Sequence, residues 1–88
     1  MNILTQRSHH MKLIALNLPR DFDENALAAL FKAHGNIKNC TLVTNEDTGK
    51  SKGFGFVEMA LAHEGKIAIQ ALHNSQVGKN RIRVKAAN

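Results

Sequence analysis

Lys52-Gly53-Phe54-Gly55-Phe56-Val57-Glu58-Met59 alternates between two kinds of side chain, and that alternation settles the architecture around it. In an extended strand successive residues point to opposite faces, so Gly53, Gly55, Val57 and Met59 share one side and Lys52, Phe54, Phe56 and Glu58 the other. The first set is small or apolar and suits a packed face. The second places two rings beside a lysine, a combination that contributes little to a core. Upstream, Ile37 to Thr44 carries Cys40, Thr41, Leu42 and Val43, mostly strand-compatible residues, and Asn45-Glu46-Asp47-Thr48-Gly49 supplies turn chemistry. The spacing predicts a hairpin of two adjacent strands.

Working outward, Lys12-Leu13-Ile14-Ala15-Leu16-Asn17-Leu18 is a near-continuous apolar run closed by Pro19, as expected of a central strand covered on both faces. Asp23 is placed to cap a helix, with Glu24 in its first turn and Phe22 and Leu27 at the spacing of a hydrophobic staple. Leu27, Leu30 and Phe31 recur at helical spacing, and Gly35 is expected to end that helix in the left-handed conformation. The helix is predicted over about Glu24 to Ala33.

A second helix is predicted from about Ala62 to His73, with Leu61, Gly65, Ala68, Ile69 and Leu72 on one stripe and Asn74 as its left-handed end. Gly65 is expected to let this helix approach the sheet closely. The final strand has Ile82 and Val84 on one side and Arg81, Arg83 and Lys85 on the other. The order is βαββαβ, an α+β ferredoxin-like split βαβ sandwich: a four-stranded antiparallel sheet with two helices on one face. Residues 1–10 show no apolar periodicity and read as a flexible N-terminal tail, leaving one domain over residues 11–87.

The chain has 88 residues, 43% of them hydrophobic, enough for one small core and too apolar for a disordered polymer. Its apolar runs fall far short of the ~20 residues that cross a bilayer, and Arg7, His9 and His10 interrupt any secretion signal near Met1, so the cytoplasm is the expected compartment. The single cysteine, Cys40, excludes an internal disulfide and reads as a small core residue. The five histidines lack cysteine partners or metal-binding spacing. No nucleophile signature accompanies Ser51, Ser75 or Cys40, so neither catalysis nor a cofactor is expected. Twelve basic against seven acidic residues give a formal charge of +5, which favours an anionic partner without naming it.

The open face of such a sheet would carry Lys12, Ile14 and Leu16 from strand one, Thr41 and Val43 from strand two, Lys52, Phe54, Phe56 and Glu58 from strand three, and Arg81, Arg83 and Lys85 from strand four. Flat rings among cations suit unpaired bases and their phosphates. The competing reading of the last strand is an edge kept from aggregating by its charge.

Lys52 to Met59 resembles the eight-residue ribonucleoprotein motif of the RNA recognition motif family, departing from it at Met59, where an aromatic is usual. Leu13-Ile14-Ala15-Leu16-Asn17-Leu18-Pro19 is similar to the family's companion six-residue motif, and Asp47-Thr48-Gly49-Lys50-Ser51-Lys52 to its approach to strand three. The resemblance implies that Phe56 stacks on a base, Phe54 packs against a sugar or neighbouring base, and Lys52 pairs with a phosphate. Asn17, Arg83 and Lys85 would lie along the nucleic-acid strand. The short form is also similar to small single-domain RNA-binding proteins of bacteria.

Ile14 stands where family members commonly place an exposed aromatic. A stacked base is worth ~1–3 kcal/mol, so modest affinity and weak sequence preference are expected. The expected partner is single-stranded RNA bound by a monomer; single-stranded DNA and a protein partner stay open as alternatives, and no membrane is implied.

Overall fold

The computed structural model describes residues 10–87, so the tail expected over residues 1–10 lies outside them except for His10. The chain forms β1 (Met11–Leu16), α1 (Glu24–Lys32), β2 (Ile37–Thr44), β3 (Ser51–Met59), α2 (Ala62–Leu72), a two-residue pair β4 (Gln76–Val77) and β5 (Asn80–Arg81), and β6 (Arg83–Ala86). The main sheet has the order β2-β3-β1-β6, and every neighbouring pair is antiparallel. The expected split βαβ architecture is therefore present.

Alternation along the strands separates two faces. Leu13, Ala15, Val57, Met59 and Val84 are buried and join Leu27 and Phe31 of α1 and Ala68 and Leu72 of α2 in one apolar cluster. Burying each large member contributes about 1.5–3 kcal/mol, which is where the stability of so small a domain resides. Met59 lies within this core, where a flexible thioether can fill the space an aromatic would take. Cys40 packs against the cluster's edge; partial burial, and then the Glu24 carboxylate, push its thiol up from the ordinary value. β1 is central as expected, yet only its Leu13 and Ala15 side is sealed. Ile14 and Leu16 on the other side are half-buried.

Helix ends follow local chemistry except at Gly35 and at Leu61, which begins α2 without a side-chain cap. The Asp23 carboxylate accepts the Ala26 amide at 2.7 Å, and Asn74 adopts a left-handed φ of 66° just beyond α2. Gly35 does not take the expected left-handed helical cap, at about +57°: its φ of 158° is far from that value, at the upper edge of the positive range that side chains rarely adopt. Its smallness serves packing instead, since a Cβ there would come within 2.7 Å of Glu64 on α2. Glu64 Oε1 in turn accepts the Asn36 amide at 3.0 Å, joining the two helices' ends. Gly65 permits the expected close approach, with the Met11 side chain filling the space beside it.

The last strand is shorter than expected. Arg81 belongs to the β4–β5 pair, where Gln76 faces Arg81 and Val77 faces Asn80. Gly78 has a φ of 61°, as fits a two-residue hairpin loop with glycine in first position. Ile82 then exchanges backbone hydrogen bonds with Asn74 and Ser75 and is fully buried, so the chain is pinned between hairpin and sheet. The β6 amide of Val84 donates to His73 Nδ1 at 3.1 Å, tying the end of α2 to the sheet.

Candidate nucleic-acid interface

Cross-strand register assembles the open face row by row. In the first row Thr41 of β2, Phe56 of β3, Ile14 of β1 and Lys85 of β6 stand side by side. In the second, Phe54 faces Leu16, which faces Arg83. In the third, Asn39, Glu58 and Lys12 are aligned. Rows are set by the pleat, so these side chains share one surface without any loop having to position them.

Phe54 and Phe56 meet edge to face, with ring centroids 6.2 Å apart and planes inclined by 81°. This contact and their flanking rows leave both residues half-buried rather than fully exposed. Lys12 Nζ lies 5.2 Å from the Phe56 centroid, in cation–π range. Arg83 and Lys85 are exposed beside the apolar rows. Lys52 is also exposed, but Gly53 between it and Phe54 has a φ of 84°, and register breaks between Leu42 and Thr44 opposite. The alternation of burial nonetheless runs on through Lys52, Gly53 and Phe54, although no cross-strand partner puts Lys52 in one of the three rows.

Two expected contact residues stand differently. Arg81 lies outside the four-stranded sheet, and its guanidinium donates to the Asn74 carbonyl at 2.8 Å beyond the end of α2. A carbonyl at the end of a helix attracts a cation, which draws this arginine away from the open face. Asn17 takes a left-handed φ of 61° after β1; its side-chain amide donates to the Arg81 carbonyl, and its own carbonyl accepts from Asn80. Those bonds fasten the β4–β5 hairpin to the end of β1.

Sequence reasoning missed Asn39, His10 and Lys38. Asn39 Nδ2 donates to Glu58 Oε1 at 3.2 Å, while Glu58 Oε2 lies 2.6 Å from His10 Nδ1. Lys38 Nζ lies 3.0 Å from His10 Nε2, which brings a second basic side chain to the edge of this cluster. The Glu58 carboxyl is held below the usual glutamate range, foremost by the Asn39 hydrogen bond and further by His10 and Lys38, with partial desolvation working against them. Parity two residues back from Thr41 was the signal for Asn39. Lys12, Asn39, Thr41, Phe56 and Glu58 line a shallow hollow of about 280 Å³ over the third row.

With the fold and this surface in view, comparison with known proteins agrees. The sequence matches the RNA recognition motif family over residues 16–83. The chain belongs to that family. It is 39% identical to a chloroplastic RNA-binding protein of Arabidopsis thaliana over 71 residues, which make up 81% of this chain and 25% of that protein. Among solved structures, RNA recognition domains 1 and 2 of Sex-lethal from Drosophila melanogaster superpose with a TM-score of 0.85 at 33% identity, covering 89% of this chain and 50% of theirs. A Sex-lethal protein in complex with RNA gives the same TM-score at 32% identity, covering 91% of this chain and 48% of that one. The chain spans between 25% and 30% of the length of its chloroplastic relatives from Arabidopsis and Spinacia oleracea. These plant and animal relatives do not support the expected likeness to bacterial proteins.

Proposed function

We propose that this domain binds single-stranded RNA across β3 and β1, with modest affinity and without catalysis. The observation that carries the reading is the row of Phe56, Ile14 and Lys85 beside the row of Phe54, Leu16 and Arg83 on the side of the sheet that neither helix covers. Rings supply planar faces for bases, and Lys12, Arg83 and Lys85 supply charge for the backbone. Relatives described as RNA-binding proteins, and a neighbour solved with RNA, support the same conclusion.

Amide-shift mapping during titration with a random-sequence RNA oligonucleotide tests it. Ile14, Thr41, Phe54, Phe56, Arg83 and Lys85 should shift while α1 and α2 stay still. A spectrum unmoved by RNA, or shifts confined to the helices, would overturn the proposal. Because the rings brace each other, Phe56→Leu is the informative variant: it keeps apolar bulk on the sheet while removing the stacking face, and should weaken binding by about 1–3 kcal/mol.

A further inference from the structure

Glu58 is the one acid among the described residues of the open face, and a surface that only gathers phosphates has no use for it. It follows Phe56 by two positions on β3, hence on the same face, and lines the same hollow. A base lying on the Phe56 ring while cations hold its phosphates would direct its edge along the strand toward Glu58, Asn39 and Thr41. Lys12, the cross-strand neighbour of Glu58, holds its ammonium over the Phe56 ring and not on the carboxylate while the face is empty, and a base taking that ring would release it toward a phosphate.

What such an edge must offer follows from the carboxylate. A surface glutamate is ionised at neutral pH, and the lowering seen for this one acts in the same direction, so both oxygens can only accept. Oε1 already accepts from Asn39, and Oε2 faces His10, yet a carboxylate has about four lone-pair positions. Two adjacent N–H groups would meet the two oxygens as a guanidinium fork does. Guanine alone among the four bases presents such a pair, N1–H and N2–H, on its Watson–Crick edge. Adenine and cytosine present an amino group beside an acceptor nitrogen, and uracil flanks its one N–H with carbonyl oxygens that a carboxylate repels.

We infer that Glu58 sets the base preference at the Phe56 position, selecting guanine through paired N–H donors and disfavouring uracil. This inference rests on the RNA-binding reading of the sheet. Asn39 is the positioning residue: its amide fixes one carboxylate oxygen while the other faces His10, and Asn39 itself lines the hollow.

The test uses labelled short oligouridines carrying one central guanine, adenine, cytosine or uracil, titrated with the full chain and followed by anisotropy. A single guanine can slide to the Phe56 position in any register, so the wild-type protein should bind that oligonucleotide about tenfold more tightly than all-uridine. Glu58→Gln keeps the size and an acceptor for Asn39, but its amide presents one donor and one acceptor. It should bring the guanine-to-uracil ratio down to about threefold or less, with an unchanged amide spectrum away from the hollow. Equal wild-type affinity for all four RNAs, or a guanine preference untouched by Glu58→Gln, would overturn the inference and leave RNA binding standing. If Phe56→Leu bound every oligonucleotide as tightly as wild type, the sheet itself would not be the interface and both readings would fall.

Discussion

The Lys12 ammonium lies 5.2 Å from the centroid of the Phe56 ring, although Glu58 is its direct cross-strand partner. An exposed cation–π contact and an exposed ion pair are worth similar small amounts, about 0.5–1 and 0–1 kcal/mol, so this choice is easily reversed. A base arriving on Phe56 would displace the ammonium from the ring and free it for a phosphate. Lys12→Gln should therefore weaken RNA binding mainly at low salt and make the slope of log affinity against log salt shallower by about 0.7. Affinities measured by anisotropy over a range of salt concentrations check this; an unaltered slope would show that Lys12 meets no phosphate.

Ile14 sits between Phe56 and Lys85 in the central row and is half-buried. It offers bulk without a planar face. Ile14→Tyr would place a ring beside Phe56, with its hydroxyl at the surface, and should tighten RNA binding by about 1–3 kcal/mol. Titration calorimetry on the two proteins would detect a change of that size. Equal or weaker binding would mean that bases do not reach β1.

How much of this could be read in advance depended on the length of each pattern. The faces of β3 followed from a simple alternation over Lys52 to Met59, and the α1 start from the chemistry of Asp23, because each signal is local. The β4–β5 hairpin was absorbed into the last strand because each of its arms is two residues long, too short to show a period. Gly78 before Lys79 was its remaining signal. Arg81 then continued the parity of Arg83 and Lys85 by coincidence of spacing, while its guanidinium is claimed by the Asn74 carbonyl, a contact no local pattern encodes. The Asn39, Glu58 and His10 cluster joins three separate segments, so only the register of the folded sheet brings it together.

Gly55 lies in β3 between the β2 backbone at Thr41 and Leu27 of α1. A Cβ at that position would stand 2.7 Å from the Thr41 carbonyl oxygen and 2.8 Å from Leu27 Cδ2. Backbone cannot swing aside as a side-chain tip can, so β2 and β3 or the seat of Leu27 must shift. Gly55→Ala should destabilise the domain by about 1–3 kcal/mol despite the usual preference for alanine over glycine in a strand. Urea unfolding followed by circular dichroism measures it. A variant as stable as wild type would show that the hairpin yields more readily than its packing indicates.

The acid limb of stability should carry the mark of Glu58. Its folded-state titration is lowered, foremost by the Asn39 hydrogen bond, so the folded form binds this proton less readily than the unfolded chain. The resulting stabilisation is complete above the unfolded glutamate value and is lost as pH falls from there through the lowered folded value. Carbon-detected titration of the Glu58 carboxyl should give a midpoint below that of an ordinary glutamate, and Asn39→Ala should raise it toward the ordinary value. Over the same acid window Asn39→Ala should show a smaller drop in urea midpoint than wild type, because less is left to lose. A wild-type midpoint at the ordinary glutamate value, or one that Asn39→Ala leaves in place, would mean that the amide does not hold this carboxylate in solution.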